Sequence, residues 1–175
     1  MIYIGIDPGK DGGIAYIKAN GKVSATTVPK IGTEVDLNAY TEILRKLKYS
    51  DEDVRVVLED VHSIFGMSAK SNFEFGKNNG HIEGILVALG MPYSKVAPKT
   101  WQKVMWEGIK IEKINTGKKT KAGKIKYKTD TKATSLKAVK RLFPDVDLRK
   151  SERATKPHDG KVDSLLLAEY GKRNF

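Results

Sequence analysis

A short β-branched run, Ile2, Ile4 and Ile6, stops at Asp7-Pro8-Gly9, and this opening constrains the chain more than any other stretch. Such side chains suit a pleated, half-buried surface, and proline with glycine then punctuates the run. The reading is a buried first strand that ends in a turn and carries a carboxylate at its tip. Two further strand-like stretches, Gly12 to Lys18 and Lys22 to Val28, are joined at Asn20-Gly21, a dipeptide that supplies the positive φ values of a tight hairpin. Strands one to three are expected to form an antiparallel meander.

Beyond the meander the apolar period changes. Leu37, Tyr40, Ile43, Leu44 and Leu47 recur at three- and four-residue spacing, which predicts a helix with one apolar face. Val54 to Leu58 is a compact strand that delivers Glu59 and Asp60 at its end. Ser68 to Leu89 has a helical period with Gly76, Gly80 and Gly84 at four-residue intervals, so another element is expected to approach that face closely. Each glycine also costs roughly 1 kcal/mol of helix propensity relative to alanine. Ser94 to Ala97 reads as a strand, and Pro98 to about Met105, Ala133 to Phe143 and Val162 to Tyr170 read as helices. Between about 107 and 130 the pattern dissolves into lysines and glycines, a basic loop or loose hairpin. No repeat and no second apolar core divides residues 1–175, so a single α/β domain is expected.

The chain has 32 Lys and Arg against 21 Asp and Glu, a net charge of +11, which points to a polyanionic partner, nucleic acid first. Cysteine is absent, which excludes disulfides, zinc ribbons, iron–sulfur clusters and thiol nucleophiles together. With no signal-peptide pattern at the start and no apolar run of spanning length, the expected location is the cytoplasm, away from membranes.

Carboxylates stand at element ends: Asp7 after strand one, Glu59 after the central strand, and Asp159 with Asp163 at the start of the last helix. Adjacent strands of one sheet would bring Asp7 and Glu59 together. A gathered set of acids repels itself without a cation, and hard divalent ions take such oxygen ligands. Two Mg²⁺ ions, or Mn²⁺, about 4 Å apart would activate water and stabilise the leaving 3′ oxygen of a phosphodiester. Each acid also has a plain structural role open to it. Asp7 can shape a turn, Glu59 and Asp60 can be strand-end charges, and Asp159 can cap a helix beginning near Gly160.

Taken together, Gly5-Ile6-Asp7-Pro8-Gly9, Val57-Leu58-Glu59, Phe75-Gly76 with Gly80, Val96-Ala97-Pro98 and Val162-Asp163-Ser164-Leu165 resemble the motifs of RuvC-type Holliday junction resolvases over nearly the full length. Short divergent forms of that family occur in bacteriophages and poxviruses. The resemblance implies an RNase H-like fold with a mixed five-stranded sheet, three antiparallel N-terminal strands then parallel ones, flanked by helices. It implies a homodimer that resolves four-way DNA junctions by two symmetric, metal-dependent nicks leaving 5′-phosphates, with no nucleotide cofactor. Asp7, Glu59 and Asp163 map onto three metal-binding catalytic acids. The family places an Asp or His three residues before the last Asp, but here that position is Gly160. Asp159 is the expected fourth ligand, and His158 is the alternative ligand or proton carrier. An aromatic that stacks on bases follows the Glu motif in that family; the candidates here are His62 and Phe65. Lys118, Lys119, Lys121, Lys124, Lys126 and Lys128 are the expected phosphate contacts, whereas Trp101 and Trp106 are expected as core or interface anchors outside the site.

Three rivals follow from the same residues. An actin-like or sugar-kinase ATP-binding module also places an Asp-x-Gly turn after strand one, but it needs two such domains. A silent branched-DNA-binding protein would need the lysines and not the acids. An RNase H-like nuclease acting on RNA–DNA hybrids, flaps or forks would share the acids.

Overall fold

A computed structural model describes residues 1–62, 66 and 68–175. Five strands form the main sheet: β1 (Ile2–Asp7), β2 (Gly13–Lys18) and β3 (Val23–Thr27) make the meander, and two later strands, Val54–Glu59 and Tyr93–Val96, extend it on the other side of β1. Between them lie a small hairpin, β4 (Lys30–Ile31) and β5 (Glu34–Val35), and helix α1 (Leu37–Lys48), which Asp36 caps through Ala39 N–H. The chain continues as β6 (Val54–Glu59), α2 (Ala69–Ala88), β7 (Tyr93–Val96) and α3 (Pro98–Met105). The basic segment is a hairpin, β8 (Lys113–Lys119) and β9 (Ile125–Thr129), followed by α4 (Thr131–Leu142) and α5 (Asp159–Asn174). Strand order is β3-β2-β1-β6-β7, antiparallel across the meander and parallel from β1 through β6 to β7.

Alternation along the strands divides the core into two layers. Ile2, Ile4 and Ile6 of β1 and Val54, Val56 and Leu58 of β6 are buried against Tyr40 and Leu44 of α1 and Ile82 and Leu86 of α2. Burying each such aliphatic side chain stabilises the fold by roughly 1.5–3 kcal/mol. On the other face, Ala15 and Val57 meet Leu165 and Leu166 of α5, with Trp101, Met105, Ala138 and Val139 of α3 and α4 behind them.

Helix α5 lies almost on the sheet backbone because glycines admit it. A Cβ on Gly5 would lie 2.0 Å from the Ser164 carbonyl oxygen, and one on Gly160 would lie 2.3 Å from the Gly12 carbonyl carbon. Two expectations about helices change. α5 begins at Asp159 and runs to Asn174, beyond both ends of the Val162 to Tyr170 span, and its N-cap is His158, so Asp159 is its first residue and not its cap. The close approach expected at Gly76, Gly80 and Gly84 is not made: a Cβ on any of them would meet nothing within 4 Å, and Gly80 and Gly84 face Leu37, Thr41 and Arg45 of α1 across an open cavity. Phe73, those glycines and Val87 form an exposed stripe along α2. Among the described residues no helix is long and apolar enough to cross a membrane.

Candidate active site

Register sets the first two acids side by side. Ile6 pairs with Leu58 across the parallel strands β1 and β6, so Asp7 and Glu59 occupy the next position on neighbouring strands, which run about 4.8 Å apart. Both share the parity of Gly5 and Val57, the residues on the α5 side. The close crossing of α5 at Gly5 and Gly12 then sets Asp163 over these strand ends.

Burial and mutual repulsion raise the pKa of each member of this set. Burial first, and then the charges of Asp7 and Glu59, push Asp163 up to about 8. Burial, followed by Asp7, pushes Glu59 up to about 7. Asp7 is raised chiefly by burial; the Gly9 N–H, which donates to its Oδ1 at 2.9 Å, pulls the other way, and the charges of Asp159 and Asp11 raise it further. Asp7 therefore shapes its turn and belongs to the cluster at once. Asp159 lies on the rim, 51% exposed, in an ion pair with Lys132 Nζ at 2.5 Å.

Neighbouring side chains orient these carboxylates. Trp101, fully buried, donates its indole N–H to Glu59 Oε1 at 3.0 Å. Trp106 donates to Ser135 Oγ at 3.3 Å, and the Ser135 hydroxyl hydrogen-bonds Asp163. Both tryptophans thus support the site, contrary to the expectation that they stand outside it. Only the tertiary fold brings them there: Trp101 lies 42 residues from Glu59 in the chain. Lys132 and Ser135 were likewise not anticipated, and the regular helical pattern of α4 holds no signal that would have marked them. Trp101→Phe keeps the core filled but removes the donor that lowers Glu59. Glu59 should then titrate still higher, and the alkaline shift of the pH–rate profile, with a loss of about tenfold below it, would check this.

The other candidates are more dispersed. His158 is partly buried, and its Nδ1 has no hydrogen-bond partner among the described residues. Burial and then Lys150 lower its pKa. It lines a cavity of about 270 Å³ with Lys10, Asp11, Lys30 and Lys150, and none of the three buried acids lines that cavity. His62 is 80% exposed and lies 3.5 Å from Asp60, which also pairs with Lys95. Phe65 lies outside the described residues. Lys118, Lys119, Lys121, Lys124, Lys126 and Lys128 are all exposed on the β8–β9 hairpin and its turn.

As placed, no group of three His or carboxylate side chains among the described residues is set to hold a metal ion. The side chains of Asp7, Glu59 and Asp163 offer only hard oxygens bearing an unfavourable charge load, the donor chemistry that suits a divalent cation such as Mg²⁺.

Two solved structures of Thermus thermophilus RuvC are similar to the chain, each alignment covering 99% of this chain and 96% of the other. One has a TM-score of 0.54 at 17% identity; the other, RuvC in complex with a Holliday junction substrate, has a TM-score of 0.55 at 14% identity. The fold is RNase H-like. No protein-family model matches the chain, and no curated protein matches it. Likeness to RuvC at these identities extends to the course of the backbone, and the acids of this chain stand at the strand ends and helix start of that RuvC-like frame.

Proposed function

We propose that this protein is a metal-dependent, structure-selective endonuclease that resolves four-way DNA junctions, acting as a homodimer. The observation that carries the reading is the gathered set of acids with raised pKa values, Asp7 and Glu59 on adjacent strand ends with Asp163 on the helix crossing them. Such a set is costly to the fold and serves no packing purpose. The RuvC-like backbone and the lysine hairpin favour branched DNA as the substrate.

In this reading Asp7, Glu59 and Asp163 hold the ions, and Asp159 is the fourth ligand, because its charge is felt by Asp7 and Asp163. When bound, a pair of Mg²⁺ or Mn²⁺ ions supplies water activation and stabilises the leaving oxygen. The water oxygen bonds to phosphorus, the P–O3′ bond breaks and the 3′ oxygen takes a proton, which leaves a 5′-phosphate. Trp101 and Ser135 fix the orientation of Glu59 and Asp163. Lys132 is placed by Asp159 to neutralise a phosphate oxygen entering the site. A second copy would supply the opposing cut, and the exposed α2 stripe is surface that a second copy can cover.

The test is cleavage of a labelled four-way junction beside linear duplex, Y-fork and RNA–DNA hybrid, with Mg²⁺, Mn²⁺ or EDTA, using wild type and Asp7→Asn. The expected result is paired, metal-dependent nicks in opposing arms that the variant loses. Binding without cleavage under either metal would make it a silent junction-binding protein, and preferential hybrid cleavage would make it a ribonuclease.

A further inference from the structure

Strand β9 of the β8–β9 hairpin presents two different faces. Its register pairs Lys113 with Thr129, Ile114 with Lys128, Asn115 with Tyr127 and Lys119 with Ile125, with the irregularity confined to β8. Because β9 itself is regular, alternation puts Lys126 and Lys128 on one face, with Ile114 opposite Lys128, and Ile125, Tyr127 and Thr129 on the other, where Lys113 and Lys119 pair with Thr129 and Ile125; Lys124 immediately precedes the strand. Between Lys113 and Thr129 the chain has seven lysines and no acid. Ile125 and Tyr127 are 51% and 55% exposed, on a ribbon with no apolar layer behind it.

The root of the ribbon is fixed to the active site. Asp130 N–H donates to the Glu112 carbonyl at 2.8 Å, Glu112 N–H donates to Thr134 Oγ1 at 3.1 Å, and Asp130 caps α4 through Ala133 N–H. That same first turn of α4 carries Lys132, the partner of Asp159. A seven-residue strand spans about 23 Å, or roughly seven base-pair steps at 3.4 Å each. The ribbon is therefore long enough to span several base-pair steps.

We infer that the ribbon reads branched DNA with both faces: Lys124, Lys126 and Lys128 track the phosphates of one arm, while Tyr127, flanked by Ile125, stacks on a base left open at the branch point. The inference rests on the junction-resolving reading above and adds the element that tells a branch from a plain duplex. Charge selects a polyanion, and the anchorage beside the acids selects the substrate of that site over a lipid surface. An aromatic ring on a basic ribbon is how sequence-independent binders hold unpaired bases.

The experiment is binding in EDTA, where no metal supports cleavage, to a four-way junction and to a linear duplex of equal length, over a salt series. Tyr127→Ala is expected to lose about tenfold in junction affinity with duplex affinity unchanged, and Tyr127→Phe to retain wild-type selectivity. A 2-aminopurine at the branch point should change its fluorescence on binding wild type and not on binding Tyr127→Ala. Replacing Lys124, Lys126 and Lys128 together with alanine should weaken both ligands alike and flatten the salt slope by roughly 2 to 3. If wild type prefers the junction and Tyr127→Ala keeps that preference, the ribbon inference fails alone. If wild type binds both ligands equally, the junction reading fails and takes the inference with it. Tight binding to phosphatidylserine vesicles that Tyr127→Ala abolishes, with junction binding intact, would assign the ribbon to membranes instead.

Discussion

Asp163→Asn is expected to make the metal-free protein more stable at pH 8 while removing its ability to cleave DNA. Folding raises this carboxyl from its ordinary 3.8 to about 8 through burial and the charges of Asp7 and Glu59. Below about pH 4 both folded and unfolded chains hold the proton, so the group contributes nothing to the balance. As pH climbs toward 8 the unfolded chain releases the proton and the folded chain keeps it, so wild-type stability falls across that window and levels off above it. Asparagine has no proton to lose and can still bond Ser135. The gain should be absent at pH 4 and reach about 2 kcal/mol or more at pH 8, since each pKa unit corresponds to about 1.4 kcal/mol. Urea unfolding in EDTA at the two pH values reads this directly, and an equal effect at both would show that Asp163 is not a charged burden on the fold. Mg²⁺ or Mn²⁺ should restore stability to wild type and not to the variant. Under the proposed function cleavage should fall on the order of a thousandfold, because a metal contributes several kcal/mol to the transition state and the substitution would remove one of its proposed holders.

The cost borne by Asp163 also explains which parts of the site could be read from the chain. Asp7 and Glu59 each follow a run of β-branched or aliphatic residues whose period is local, and a strand end is a position that neighbouring residues define. The meander was legible for the same reason, since Asn20-Gly21 fixes its turn within two residues. Trp101, Ser135 and Lys132 act on acids that lie far from them in sequence, and nothing in their own helices distinguishes a core tryptophan from one that donates to Glu59. The β4–β5 hairpin escaped because its two-residue strands are too short to show a period. The four-residue spacing of Gly76, Gly80 and Gly84 predicts a close-packing face, whereas the space beside them is open; spacing indicates that something small is tolerated there and does not say what comes near. The lysines are legible as a basic segment, but the separation of Lys126 and Lys128 from Ile125 and Tyr127 depends on the chain there pairing as a ribbon.

Restoring an acid at Gly160 should break the protein. RuvC-type sequences place a ligand three residues before the last Asp, so Gly160→Asp looks like a repair, yet a Cβ there would lie 2.3 Å from the Gly12 carbonyl carbon and 2.5 Å from its oxygen. Neither backbone can easily retreat. Gly12 N–H bonds the Gly9 carbonyl at 2.8 Å and Val28 N–H bonds the Gly12 carbonyl at 3.2 Å, while Gly160 sits in the first turn of a helix that also crosses Gly5 at contact distance. The clash belongs to the Cβ and not to the carboxylate, so Gly160→Ala should be nearly as damaging, costing at least about 3 kcal/mol, at or beyond the usual upper end for overpacking. Urea unfolding of both variants would show it, and an alanine variant of wild-type stability would mean that α5 does not approach the Asp7 turn this closely. The same contact accounts for where the fourth acid stands. With the position at Gly160 closed to any side chain, the nearest carboxylate in the chain is Asp159, one residue earlier and displaced to the exposed rim beside Lys132. A side chain there is held less tightly by packing than Asp7 or Asp163, and under the proposed function its pairing with Lys132 would tie its position to whether a phosphate takes that lysine away.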